Sequence, residues 1–417
     1  MAKKRITANQ RSRREEEHEN VKWARNPAIS KVPRPRSSKA LMDYFRKRQK
    51  KLKVVATTTS PSGQVIDWVP IESQVRGAGK IAEPPPAPKG APRSGGRSGK
   101  PVRFELEDAD VRRGPKGTVP ILRKQLDRLP AESLQNYLSK HRHPVREWAR
   151  TSNGLDVPMP EPGAHWYAAT IQSTTAFGAE GFLSAFDPYT ETPGDFSLIQ
   201  VALLNHDLPK LQTIEAGWQE CHQIYGDWVP HLFLFYTTTG HTTNGDNIGG
   251  YNQDVDGWVQ HDGAVYPGAV YSPTSVIDGQ QYRLWIKFQL FESNWWFWCN
   301  DRWLGYYPAS LFMGNQSVFS TLGDHADQVH FYGEIYDSDE VAGNTKTDMC
   351  SGRWPSAGWQ RSGYMRNLRV QTDRAQKLDD FDGGKTVSDP NRYDLESHMK
   401  SGSNWGSYMW LGGPGAG

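Results

Sequence analysis

Two glutamates in this 417-residue chain sit in the middle of strand-like runs. Glu215 lies in "QTIEAGWQ" (212–219) and Glu334 in "VHFYGEIYDS" (329–338). In an extended chain alternate residues share a face. Glu215 therefore points the same way as Gly217 and Gln219, while Ile214, Ala216 and Trp218 point the other way. Glu334 shares its face with Tyr332 and Tyr336, opposite Phe331, Gly333 and Ile335. Carboxylates on two strands of one curved sheet can converge on a single site. One of the pair stays ionised and takes a proton from water. The other, kept protonated by burial or by its like-charged neighbour, donates one. That chemistry serves amide and glycoside hydrolysis alike. The periodicity alone has a commoner meaning, a solvent-facing glutamate on an acidic domain.

Other candidate motifs carry less. "NQDVDG" (252–257) begins like a calcium loop, but its twelfth position is Gly263 and it reads as a β-turn. His206, His222, His231, His241 and His261 show no HExxH spacing, and no GxSxG, GxGxxG or P-loop is present. "NWWFWCNDRWLGYYP" (294–308) reads either as a strand–turn–strand with Trp in a core or as a stacking platform for sugar or proline rings. Cys221, Cys299 and Cys350 are widely spaced, which leaves room for one disulfide and argues against a cysteine-built zinc site.

The elements that must position these residues are short strands. Sixteen Trp, 17 Tyr and 40 Gly favour aromatic-lined strands and many turns. From His165 onward, strand-like runs alternate with turn signals, and the fold class predicted is an antiparallel β-sandwich. No apolar run is long enough for a membrane span. Residues 1–53 read as a basic, disordered or loosely helical tail, with a basic amphipathic helix as one reading of 39–53. A solvated tail is the expectation there; contact with nucleic acid or a membrane surface is the less favoured alternative. "KVVATTTSPSGQVIDWVPIESQ" (53–74) reads as two strands about a turn, and "EPPPAPKGAPRSGGRSGKP" (83–101) as a linker. The basic N-terminus has no apolar stretch behind it and does not read as a signal peptide.

Charge divides the chain. Residues 1–100 hold 24 Lys and Arg against 8 Asp and Glu, a net +16. Residues 151–417 hold 14 against 31, a net −17. The two attract each other, and acid weakens that attraction by protonating carboxylates.

The strings "QTIEAGWQECHQIYGDWVPHLFLFYTTTG", "GWVQHDGAVYPGAVYSP", "SNWWFWCNDRWLGYYPASLF" and "FYGEIYDS" occur in an order and spacing that resemble the neprosin family of glutamic prolyl endopeptidases. "SPSGQVIDWVPIESQ" and "GTVPILR" are similar to that family's activation peptide. The resemblance implies a double β-sandwich over 164–372, an activation segment over 54–150 and a C-terminal extension over 373–417 with an edge strand and a loose tail. It implies catalysis by Glu215 and Glu334 without metal or cofactor. Gln219, Trp218, Tyr332, Trp295 and Trp296 would be the substrate contacts, and the protein a monomer acting on protein or peptide substrates, proline-rich ones among them. It implies a secreted zymogen with an acidic optimum. The chain departs from plant members in lacking their cysteine pair near "IGGYNQDVDGWVQ", in carrying Trp68 where they have Cys, and in Tyr332 where many relatives have Gly. Two rival readings stay open: a β-sandwich glycoside hydrolase, although the ExDxxE string of jelly-roll glucanases is missing, and a non-catalytic glycan or protein binder using the Trp-rich face.

Overall fold

The computed structural model describes residues 38–75, 79–88, 99–130, 132–140, 148–150, 156–158, 165–206, 211–314, 321–338, 345–375 and 377–416. Two large β-sheets face one another. The seven-stranded sheet runs, edge to edge, Gly249–Tyr251, His231–Thr237, Gln212–Glu220, Phe196–Asn205, Ala326–Tyr336, His165–Ala176 and Gly384–Val387. The ten-stranded sheet is built around Arg302–Pro308, Asn294–Cys299, Tyr282–Phe291, Gly178–Ser184, Gly363–Gln371 and Tyr408–Gly412. Pairing is antiparallel except at Lys100–Pro101, which lies parallel to Tyr282–Phe291. The C-terminal residues join both sheets, so the stretch expected as a loose tail is built into the sandwich.

Strand alternation makes the core. Ile214, Ala216 and Trp218 of one sheet, and Leu284, Ile286 and Phe288 of the other, are buried in one cluster. Trp218 also donates its indole N–H to the Ser184 carbonyl at 2.7 Å, a bond that fixes the spacing of the two sheets. Gly217 has no room for a side chain: a Cβ there would lie 1.9 Å from the Ile199 carbonyl oxygen. The three cysteines are buried free thiols, so the possible disulfide does not form.

The N-terminal part forms its own layer. Ala56–Thr59, Val65–Pro70 and Thr118–Leu122 make a three-stranded sheet, the first two joined at the expected turn. Residues 1–37 of the basic tail lie outside the described residues, whereas Lys39–Lys51 is a helix. Ser38 caps it by accepting from Leu41, and Arg48, Lys50 and Lys51 sit where the helix dipole favours cations. Leu41 and Phe45 are buried, so this segment is docked and the expectation of a solvated tail fails here. Its apolar face has found a partner, and so has its charge. Arg48 pairs with Asp246 and, at 2.9 Å, with Asp256. Tyr44 donates to Asp246 at 2.9 Å.

Candidate active site

The seven-stranded sheet brings the two glutamates onto one face. The strand Phe196–Asn205 lies between their strands, with Ala202 opposite Glu215 and Leu198 opposite Glu334. Gln200 stands at the centre of that face, opposite Gly217 on one side and Tyr332 on the other. The absence of a side chain at Gly217 leaves the surface beside Gln200 low.

Both carboxylates are buried, Glu215 at 2% and Glu334 at 0% exposure, and both meet one cation. The Lys140 ammonium lies 2.6 Å from Glu215 Oε2 and 2.7 Å from Glu334 Oε2. Lys140 is itself 1% exposed. Burial alone would depress its pKa, but the two glutamates outweigh burial and raise it, so the ammonium is charged. Burial pushes Glu334 upward, yet Lys140 and His165 outweigh that and hold its pKa below the ordinary carboxylate value. His165 Nδ1 lies 2.9 Å from Glu334 Oε1. Glu215 accepts from Gln200 Nε2 at 2.9 Å and from the Thr213 hydroxyl at 2.8 Å. The Tyr332 hydroxyl lies 3.4 Å from Glu215 Oε2. Burial among these acids pushes the Tyr167 and Tyr332 phenols well above their ordinary pKa, so both remain neutral donors. Nearby, burial lowers His241 to about 4.

Lys140 comes from the N-terminal layer. The helix Leu134–Leu138 precedes it, capped by Ser133, with Tyr137 and Leu138 buried. Gln135 exchanges two hydrogen bonds of 3.0 Å with the Asn244 backbone, which docks this helix on the loop after His231–Thr237. Lys124 pairs with Asp254 at 3.0 Å. The "NQDVDG" loop, predicted as a plain turn, thus supplies Asp254 and Asp256 as anchors for the basic layer.

Of the residues predicted for the site, the structure brings together Glu215, Glu334 and Tyr332. Gln219 lies on the same face, level with Glu334 across Leu198, and donates to the Tyr251 hydroxyl at 3.4 Å. Trp218, Trp295 and Trp296 are not at the glutamates. Trp218 and Trp295 fill the core between the sheets, and Trp296 lies on the outer face of the ten-stranded sheet. The reason is the two-residue period: Trp218 is odd-one-out to Glu215, and the Trp hairpin belongs to the other sheet. Sequence reasoning missed Lys140, His165, Thr213 and Gln200. Gln200 alone left a local trace, one polar residue inside the apolar run "SLIQVALL".

A double β-sandwich with a buried carboxyl pair on the outer face of one sheet defines the class. The neprosin family model matches residues 193–414, more than half of the chain, and the protein belongs to the neprosin family. Among solved structures, scytalido-glutamic peptidase with a transition-state analogue inhibitor matches at 10% identity and a TM-score of 0.33, covering 60% of this chain and 97% of that one. SCP-B, a member of the eqolisin family of peptidases in complex with a tripeptide, matches at 8% identity and a TM-score of 0.30, over 60% and 98%. A homodimeric agglutinin from chicken liver matches at 8% identity and a TM-score of 0.20, over 43% and 95%.

Proposed function

We propose that this protein is a glutamic endopeptidase made in a latent form, with Glu215 and Glu334 as its catalytic pair and Lys140 as the group that holds it inactive. The observation that carries the reading is the convergence of both carboxylates on the single ammonium of Lys140. In the active form a water molecule takes the position of that ammonium. One carboxylate, ionised, accepts a proton as the water oxygen attacks the peptide carbonyl carbon. The other, protonated, donates to the carbonyl oxygen and then the proton moves to the leaving nitrogen as the C–N bond breaks. The products are a carboxylic acid and an amine. Gln200 Nε2 and the Tyr332 hydroxyl are the neutral donors beside the developing oxyanion. The acid and base roles belong to the coupled pair.

Such a mechanism needs one proton on the pair, which calls for acidic conditions once Lys140 has gone. The same proton loosens Lys140. Glu334 has a depressed pKa in the latched state, so its contribution is present above the ordinary carboxylate range and is lost as pH falls through the depressed value. The raised pKa of Lys140 makes its contribution full below the ordinary lysine value and lost only at more alkaline pH, so the carboxylates govern acid release. Residues 54–150 would then leave as an activation segment. Cleavage after proline is the specificity that family resemblance supports.

Incubating the full chain across pH 3–7 tests latency and activity together. Mass spectrometry should find acid-dependent shortening between the N-terminal layer and His165 in the parent chain and none in Glu334→Gln. An unshortened parent chain at every pH would sink self-activation.

A further inference from the structure

On the far side of the sandwich, the outer face of the ten-stranded sheet is aromatic where a solvated face would be polar. Phe182, Trp285, Trp296, Trp298, Trp303 and Tyr306 form one cluster there. Trp296 and Tyr306 stand 4.7 Å apart, Trp298 and Trp303 5.2 Å apart, tilted or edge-on. Their alternation partners Trp295, Phe297, Leu304 and Tyr307 fill the core, so this second set lies outside it, on the other face of the sheet.

The N-terminal layer supplies what lies on it. Ile81 and Ala82 pack against the cluster. The Ala82 N–H donates to the Tyr306 hydroxyl at 3.1 Å, and Pro85 is buried. Residues 81–88 read "IAEPPPAP" and contain no helix or strand. A proline-rich segment, held at its start through Ile81 and Ala82, therefore rests against an aromatic surface. That is the arrangement by which aromatic grooves take proline-rich chains, whose rings stack and whose carbonyls stay free to accept. A second, independent observation points the same way. The indole N–H groups of Trp285, Trp296 and Trp303 are buried and have no acceptor among the described residues. A buried donor left unmet is costly. Residues 81–88 leave these three donors unmet, so the surface keeps acceptor capacity for a longer proline-rich strand, which offers carbonyls while bringing few donors of its own.

We propose that this face is a docking site for proline-rich extended chain. Residues 81–88 hold it in the latent protein, and a proline-rich stretch of a substrate protein takes it once the N-terminal layer is released. Its part in substrate capture rests on the peptidase reading; the docking itself does not, and is testable without catalysis.

The test uses the full-length chain at pH 7 with Ile81→Asp and Pro85→Asp, which loosen the resident segment. The probe is a fluorescein-labelled synthetic peptide of residues 80–88, read by anisotropy. The opened chain should bind it about tenfold more tightly than the unaltered chain does. Adding Tyr306→Phe, which removes the acceptor for the Ala82 N–H, should weaken binding several-fold. A peptide with every proline replaced by alanine should fail to bind. Equal binding by both chains, equal binding of the alanine peptide, or occupation by soluble β-glucan or a second copy of the chain in place of the peptide would each overturn the proposal. Should the double substitution prevent folding, amide exchange decides in the unaltered chain. Excess proline peptide should speed exchange at Ala82 several-fold, and unchanged exchange would refute the proposal.

Discussion

At the residue scale, Lys140 carries two roles that a single substitution separates. It neutralises a pair of buried acids, and it belongs to a layer that covers them. Lys140→Met keeps the length and removes the charge. The two carboxylates would then face each other without a cation, which costs about 3–5 kcal/mol when one partner of a buried pair is lost. The pH dependence of docking should also change sign. In the parent chain the layer should be released as pH falls, because Lys140 and His165 hold the Glu334 pKa below the ordinary carboxylate value. In Lys140→Met the uncompensated pair docks best when protonated, so the layer should loosen as pH rises. Limited proteolysis of residues 54–140 between pH 3 and pH 7 reads this directly, and identical profiles for both proteins would deny Lys140 the role of latch. His165 is the other group that holds the Glu334 pKa down, its Nδ1 lying 2.9 Å from Oε1. Replacing it with Gln should raise the pH at which the layer is released, read by the same digest.

At the element scale, the strand carrying Glu215 depends on a glycine. Gly217→Ala would drive a Cβ into the Ile199 carbonyl, and backbone of a paired strand cannot move aside. A loss of about 3 kcal/mol follows, together with a shift of Glu215 relative to Gln200. Thermal melting checks the first, and a melting temperature equal to the parent's would contradict the packing described. The helix Lys39–Lys51 is held by Arg48 against Asp246 and Asp256. Arg48 is 16% exposed, so Arg48→Ala should weaken docking by about 1–2 kcal/mol, less at high salt, and move acid release to higher pH. Much of this architecture was legible in the sequence. Alternation put each of Glu215 and Glu334 on the face opposite its own apolar set, with Trp218 and Ile335 inside, while the expectation that the two strands share one sheet came from the family resemblance. Alternation could not say which sheet the Trp hairpin joins, so Trp295 and Trp296 were expected near the glutamates and lie elsewhere. Lys140 left no trace. It is one lysine after a short helix, and its position comes from the docking of residues 134–138 on a loop more than a hundred residues later. The helix at 39–51 was visible as a pattern, but of its partners Asp246 drew no notice and Asp256 lies in the stretch 252–257 that read as an ordinary turn.

At the scale of the whole molecule, the charge division seen in the composition has a physical counterpart. The basic N-terminal layer meets the acidic body at Arg48, Lys124 and Lys140, three points of decreasing exposure. Salt screens the first and spares the last. Acid reaches all three, since each is ion-paired with at least one carboxylate. On the proposed reading, coverage of the glutamates is coupled to the protonation that their chemistry would require. The measurement that tests this most directly is hydrolysis of a denatured proline-rich protein across pH 2–7 by the parent chain, Glu215→Gln and Glu334→Gln, with cut sites read by mass spectrometry. The account predicts cleavage confined to acidic pH in the parent and a loss of about 10²–10⁴-fold in each variant. Parent-like cleavage by either variant, or an inert parent after its N-terminal layer has been removed, would contradict it.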